Sequence, residues 1–258
     1  MQWKRVFKGK GLYIAVFLQV FAYFYPHQAT RFWEFLVDYF RSADFLYFYL
    51  MPREGGLITL LLPFVAALPA ALFTAEDIET GYLRLVLQRS GKTRYALFRI
   101  FEALSGAIIA SLAGSLIYVG FIAVMSPMDQ NILTSWRNVL ANSSFANLAA
   151  ALHGIPMVID SLLRFAFAAA AWALFGVTFS ALSANRGLAL VLTFSLHFSL
   201  AYTFETTTAL FAWSPAVIQV PSISYRGSLL YVAFQQFVYF AAALVASLMG
   251  LRYRLNKI

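Results

Sequence analysis

Five polar residues that could do chemistry lie in a largely apolar stretch between positions 188 and 210. They are Ser195, His197, Ser199, Tyr202 and Glu205. Ionisable side chains inside a membrane-length apolar segment are candidates for a substrate or ion pathway. Ser195, Ser199 and Tyr202 fall on one face of a helix and could line such a path. Hydrogen bonding between packed helices is the competing interpretation of the same residue types.

No catalytic, cofactor or metal site is predicted from the other reactive residue types. The chain has no cysteine, and its three histidines are isolated from one another: His27, His153 and His197. An enzyme would need polar groups that converge at one depth, and His197 and Glu205, about two helical turns apart, are the only candidates. Gly91-Lys92-Thr93 resembles the end of a phosphate-binding loop, but Val86 stands where that motif needs its first glycine. We therefore predict that the chain is not an enzyme and binds no nucleotide, with a membrane-embedded enzyme as one alternative.

The composition is that of a membrane protein. Of 258 residues, 61% are hydrophobic and only 12% charged, and the mean hydropathy is positive. A soluble domain of this size is far less apolar. The formal net charge of +8 would suggest nucleic acid as a partner of a soluble protein, but in a membrane protein the placement of the bases matters more than their sum. No nucleic-acid partner is predicted.

Six apolar runs are long enough to be transmembrane helices, which need about 20 residues each. The predicted spans are 11–29, 56–75, 100–125, 160–182, 188–210 and 228–250. They predict an all-α polytopic protein with one transmembrane domain over residues 1–258. Pro63 and Pro69 should bend the second span, because proline removes a backbone donor.

The placement of lysine and arginine predicts the orientation of the chain. With six spans, thirteen of the 19 bases fall on the side of both termini and six on the other. Positive residues accumulate in cytoplasmic loops. Both termini are therefore predicted to be cytoplasmic, in a multi-pass protein of the cell membrane, of the prokaryotic plasma membrane type.

The outer segments are rich in aromatic residues. The loop 30–55 predicts a helix lying at the outer headgroups, since aromatic rings prefer that depth. A second amphipathic helix is predicted near 133–152, and the stretch 205–227 could form a re-entrant hairpin.

A hydrophilic segment, residues 76–95, separates the second and third predicted spans. Three acids open it and four bases follow from Arg84 onwards, the order that suits a helix macrodipole. As one helix it would be amphipathic, and its polar strip would carry Asp77, Thr80, Arg84 and Gln88. Such a helix would lie at the membrane surface or dock onto a partner. A basic loop that only fixes topology is the competing interpretation.

In this segment the chain resembles permease subunits of ABC transporters of the second type, the ABC-2 exporter family. The resemblance lies in the topology and in one motif of acids, glycine, alternating leucines and then bases. It reads Glu76-Asp77-x-Glu79-Thr80-Gly81-Tyr82-Leu83-Arg84-Leu85-x-Leu87, then Ser90-Gly91-Lys92-Thr93-Arg94. Tyr82 and Ser90-Gly91 depart from the pattern, where a small polar residue and a proline are usual. Residues 1–10 are similar to the interfacial helix that precedes the first span in this family.

The resemblance implies that 76–95 is a cytoplasmic coupling helix that docks onto a separate ATPase. The implied coupling residues are Glu76, Asp77, Glu79, Gly81, Arg84, Arg89, Lys92 and Arg94. ATP and magnesium would be bound by that ATPase, and the permease would pair with a second copy of itself or a related permease. The implied function is export of an amphipathic or apolar substrate, such as a peptide or bacteriocin, a lipid or a drug. A sensor or immunity subunit without transport is the other alternative.

Overall fold

The structure is a computed structural model that describes residues 3–25, 48–49, 51–53, 57–126, 155–208, 210–219 and 229–257. Most of the predicted outer segment 30–55 and all of the predicted helix 133–152 lie outside these residues. The described residues form helices and connecting turns, and no strand occurs among them.

Nine α-helices follow one another along the described chain. They are α1 (Trp3–Lys8), α2 (Lys10–Phe24), α3 (Leu57–Ala67), α4 (Phe73–Glu79), α5 (Tyr82–Ser90), α6 (Lys92–Met125), α7 (Ile155–Ser183), α8 (Arg186–Thr206) and α9 (Leu229–Asn256). Short 3₁₀ turns occur at Met51–Arg53, Phe211–Trp213 and Val217–Gln219.

Four of these helices, α6 to α9, are long and apolar enough to cross a membrane. They indicate a membrane-embedded, all-helical protein. The helices within the first two predicted spans are shorter, with 15 residues in α2 and 11 in α3. The predicted first span continues into residues 26–29, which lie outside the described chain, so a count of six spans stays a prediction.

Helix α7 is the centre of the bundle and contacts α3, α6, α8 and α9. Its middle carries a run of small residues, Ala168 to Ala171, all of them buried. Small side chains let neighbouring helix backbones approach closely, which is how helices pack in lipid where the hydrophobic effect gives no net attraction. The composition of α7 therefore suits a helix surrounded by other helices.

The second predicted span is broken rather than continuous. Helix α3 ends at Ala67 and α4 begins at Phe73, and the turn 68–72 between them contains Pro69. Pro69 has no backbone N–H to donate within the turn, and the Ser180 hydroxyl of α7 donates to the Ala71 carbonyl at 2.9 Å. Such replacement bonds are what allow a helix to be interrupted inside an apolar bundle.

Glycines on the neighbouring helices make room for this turn. A Cβ atom on Gly11 of α2 would collide with the Leu68 carbonyl oxygen, and one on Gly106 of α6 would lie 3.0 Å from the Pro69 side chain. On α7, a Cβ on Gly176 would lie 2.9 Å from the Ala71 side chain. The broken segment therefore sits in a space that three helices leave open by lacking side chains.

The segment 76–95 is not the single amphipathic helix expected from its sequence. It comprises the end of α4, all of α5 and the start of α6, and the breaks fall at Gly81 and Gly91. Both glycines have positive φ angles, 72° and 75°, a conformation that costs other residues roughly 1–2 kcal/mol. The prediction that Asp77 lies on a polar strip at the surface is also wrong, because Asp77 is fully buried.

The chain beyond α8 folds back onto α9. The Gln235 amide donates to the Ala212 carbonyl at 2.9 Å, and the Tyr239 hydroxyl donates to the Trp213 carbonyl at 2.6 Å. The described part of the predicted re-entrant stretch is thus a pair of short turns tied to α9.

We expect Gly11→Ala to destabilise the protein, because its methyl group would collide with the backbone of the turn 68–72 and overpacking costs about 1–3 kcal/mol. Gly120→Ala is the matched control, since a Cβ there meets nothing within 4 Å. Thermal unfolding in detergent, followed by tryptophan fluorescence, should give a lower Tm for Gly11→Ala than for the unmodified chain, and an unchanged Tm for Gly120→Ala. Equal Tm values for the two variants would contradict this packing.

Candidate functional site

An ion-pair network centred on Asp77 joins α1, α4 and α6. Arg5 of α1 contacts one Asp77 carboxylate oxygen at 2.8 Å and the Glu76 carboxylate at 2.9 Å. On the other side of Asp77, the Tyr95 hydroxyl donates at 2.9 Å and the Arg99 guanidinium forms an ion pair. Arg99 also pairs with Glu102 on the next turn of α6. One carboxylate therefore receives hydrogen bonds from two separate helices.

The side chains of this network become less exposed from the surface of the protein to its interior. Arg5 and Glu76 are partly exposed, whereas Asp77, Arg99 and Glu102 are at most 2% exposed. Burial lowers the pKa of Arg5, but the hydrogen bond and the charge of Asp77 outweigh it, so the pKa is raised overall. Arg5 therefore stays positively charged. A buried carboxylate is tolerated only when its oxygens are paired in this way.

Most of this network was not predicted as a site. The sequence predicts a role in membrane topology for Arg5 and Arg99 and no site role for Tyr95 or Glu102. The available signal was the spacing of Tyr95, Arg99 and Glu102, which share one face of a helix at four and three residues apart.

A second ion pair fixes α4 to the start of α8. The Glu79 carboxylate accepts from the Arg186 side chain at 3.0 Å and from the Arg186 backbone N–H at 3.1 Å. Asn185 caps the same helix, its side-chain oxygen accepting from the Leu188 N–H at 2.9 Å. Carboxylates are favoured beside a helix N-terminus, where the peptide dipoles leave positive charge. The end of α4 is therefore held from three directions, by α1, α6 and α8.

Helix α5 presents an exposed face between its two glycine breaks. Leu83 is buried, and Val86 and Leu87 pack against the core. Tyr82, Arg84, Leu85, Gln88 and Arg89 are exposed. The predicted coupling residues thus divide into two groups. Glu76, Asp77 and Glu79 form ion pairs that hold α4, and of these three only Asp77 is buried, whereas Arg84, Arg89, Lys92 and Arg94 are exposed.

The five polar residues of α8 do not come together. Ser195, Ser199 and Tyr202 lie on an exposed face of the helix, as their spacing predicts. His197 lies on the opposite face, buried with its ring edge-on to Trp172 at 4.7 Å between centroids. Its Nδ1 atom has no hydrogen-bond partner in the described chain.

Glu205 lies at the far end of α8 from Arg186. One of its carboxylate oxygens accepts from the Ser214 hydroxyl at 2.9 Å, so it anchors the turn after α8. His197 and Glu205 therefore form no convergent pair, and the geometry gives the alternative of a membrane-embedded enzyme no support. Within the described residues, no group of three histidine or carboxylate side chains could hold a metal ion.

A second buried polar cluster, which was not predicted, lies at the opposite end of the bundle from Asp77. The Arg53 guanidinium donates to the Tyr23 hydroxyl and to the Ser161 carbonyl, the latter at 2.9 Å. Tyr23 in turn contacts the Ser115 hydroxyl at 3.0 Å, and Gln19 donates to the same hydroxyl at 2.7 Å. The cluster joins α2, α6 and α7. Near it, Asp160 and Arg164, four residues apart on α7, form an ion pair at 2.8 Å.

A small cavity of about 20 Å³ lies between α7, α9 and the turns after α8. Trp172, Pro215, Gln236 and Tyr239 are among its lining residues. The Gln236 amide nitrogen has no partner in the described chain. The volume suits about one water molecule, so the cavity is too small for a transport substrate.

We expect Asp77→Asn to destabilise the protein strongly, because removing one partner of a buried ion pair leaves the others uncompensated, at a cost of about 3–5 kcal/mol. Glu79→Gln is the matched control. It breaks an ion pair whose arginine is about half exposed, and such pairs contribute roughly 0–1 kcal/mol. Thermal unfolding in detergent should show a much larger loss of Tm for Asp77→Asn. A loss no larger than that of Glu79→Gln would contradict a structural role for the network.

Comparison of the chain with protein-family models, with curated proteins and with solved structures gives no match.

Proposed function

We propose that this protein is the permease subunit of an ATP-driven exporter of the ABC-2 type, with six spans and both termini in the cytoplasm. In this proposal α5 is the coupling helix and docks onto a separate cytoplasmic ATPase, which binds ATP and magnesium. The observation that carries the proposal is the construction of α5. It is a short helix with an exposed, mixed apolar and basic face, set between two glycine breaks and followed directly by a long helix.

The bracing of α4 supports a role in transmitting force. Movement of α5 would reach α4 through Gly81 and α6 through Gly91. Asp77 joins α4 to α1 and α6, and Glu79 joins α4 to α8. A push on α5 would therefore be shared by several helices rather than absorbed in a loop. Packed helices that shift as rigid bodies are a common way to convert a local push into a change of state.

The arrangement of bases supports the proposed orientation. Helix α1, the α4 to α6 segment, the start of α8 and the end of α9 all lie at one end of the bundle, as the contacts of Arg5, Arg186 and Lys92 indicate. Most lysines and arginines of the described residues belong to these segments. An end rich in bases favours the cytoplasmic side.

The exposed face of α8 supports a path between two permeases. Only 17% of the apolar window of α8 is buried, compared with 78% for α7. The exposed serines and Tyr202 on that face would line the path once a second copy, or a related permease, packs against α8. The face carries few charges, which suits an amphipathic or apolar substrate such as a peptide, bacteriocin, lipid or drug. His197 lies outside this path because it faces α7.

We expect a cysteine placed on α5 to crosslink to an ATP-binding protein in native membranes. The chain contains no cysteine, so Leu85→Cys, at a side chain 57% exposed, introduces a single thiol. The crosslinked partner should label with a photoreactive ATP analogue and, by mass spectrometry, contain a phosphate-binding loop. Leu85→Cys should also resist a membrane-impermeant maleimide added to intact cells.

Val124→Cys is the matched control, because it is exposed and lies at the other end of α6. It should give no ATP-labelled adduct. A Leu85→Cys thiol that reacts from outside the cell would overturn the orientation. A thiol that is shielded but never joins an ATP-binding protein would favour a sensor or immunity subunit without transport.

A further inference from the structure

A groove of about 400 Å³ lies between the start of α6 and the end of α9. Four of its lining residues are polar and exposed: Lys92, Thr93, Arg252 and Asn256. The other lining residues are apolar: Ala96, Leu97, Leu248 and Leu255. The groove therefore has a basic mouth and an apolar wall.

The two bases at the mouth have no acidic partner in the described chain. Arg5, Arg99, Arg164 and Arg186 all form ion pairs. Lys92 and Arg252 pair with none of the described carboxylates, although they line the same groove. The start of α6 adds further positive charge, because its first N–H groups have no side-chain cap. An anion in the mouth would meet cations on two sides.

The apolar wall continues along the outer faces of both helices. Phe101 lies one turn beyond Leu97 on α6 and is 53% exposed, and Val245 lies about one turn before Leu248 on α9 and is 55% exposed. An elongated apolar group that entered the groove could therefore follow the helices away from the basic mouth. A ligand that matches both parts has an anionic head and a long hydrocarbon tail.

We propose that this groove binds an anionic phospholipid, with its phosphate between Lys92 and Arg252 and its acyl chains along Leu97 and Leu248. A second copy of the chain fits the mouth less well, because this end of the bundle is rich in bases and like charges would repel. A soluble phosphate compound would leave the apolar wall uncovered. The inference rests on the membrane embedding of the protein and is independent of its transport function.

Native mass spectrometry of the full chain in detergent, titrated with phosphatidylglycerol or phosphatidylcholine, tests the proposal. We expect one phosphatidylglycerol to be retained at concentrations where phosphatidylcholine is not. A base near an anionic lipid surface contributes about 1 kcal/mol, or roughly fivefold in affinity. The double variant Lys92→Gln/Arg252→Gln should therefore bind phosphatidylglycerol about twenty-five-fold more weakly.

Arg84→Gln/Arg89→Gln is the matched control, because it removes the same charge from exposed bases of α5 that do not line the groove. It should bind phosphatidylglycerol as the unmodified chain does. Equal loss in both double variants, or no loss in either, would overturn the site. Displacement of the lipid by millimolar inorganic phosphate would also overturn it, since a soluble anion would then suffice.

Photoreactive phosphatidylglycerol provides a test that needs no substitution. In membranes that contain the unmodified chain, the reactive group on the acyl chain should label α6 near Leu97 or α9 near Leu248. Labelling confined to other helices would overturn the proposal even if the Lys92→Gln/Arg252→Gln variant failed to fold.

Discussion

Burial of the Asp77 carboxylate is the constraint on which the base-rich end of this protein depends. A lone carboxylate in an apolar interior is very unfavourable, so Asp77 requires donors from neighbouring helices. Arg5, Tyr95 and Arg99 supply them from α1 and α6. The positions of α1, α4 and α6 are thereby linked, because moving one helix away would leave charged groups without partners.

This linkage explains why a break in the second apolar segment is useful rather than harmful. If α3 continued straight through 68–72, Asp77 and Glu79 would not be directed to partners on α1, α6 and α8 in the observed way. The turn is stabilised by the Ser180 hydroxyl and accommodated by Gly11, Gly106 and Gly176. Local irregularity in α3 is therefore matched by small residues on three other helices, which makes the turn a property of the whole bundle.

The buried polar clusters centred on Asp77 and on Arg53 differ in their chemistry. At the base-rich end, carboxylates and guanidinium groups pair directly around Asp77. At the other end, Arg53 is surrounded by hydroxyls, a carbonyl and the rings of Tyr23, Tyr49 and Phe165. Aromatic faces attract cations and are less strongly hydrated than carboxylates. Hydrogen bonds and ring contacts thus join α2 and α7 at that end as ion pairs join α1, α4 and α6 at the other.

The sequence by itself determined the membrane class, the all-helical fold and the approximate positions of the long helices, since these depend on apolar runs that need no partner to be recognised. It also predicted the bend at Pro69, because proline acts on the helix that contains it. Only the tertiary structure decided that segment 76–95 is divided at Gly81 and Gly91 and that Asp77 is buried. It also decided that His197 is buried against Trp172, whereas Ser195 and Ser199 are exposed. These outcomes depend on which surfaces meet across helices far apart in sequence, and the spacing of residues along one helix carries no information about its neighbours.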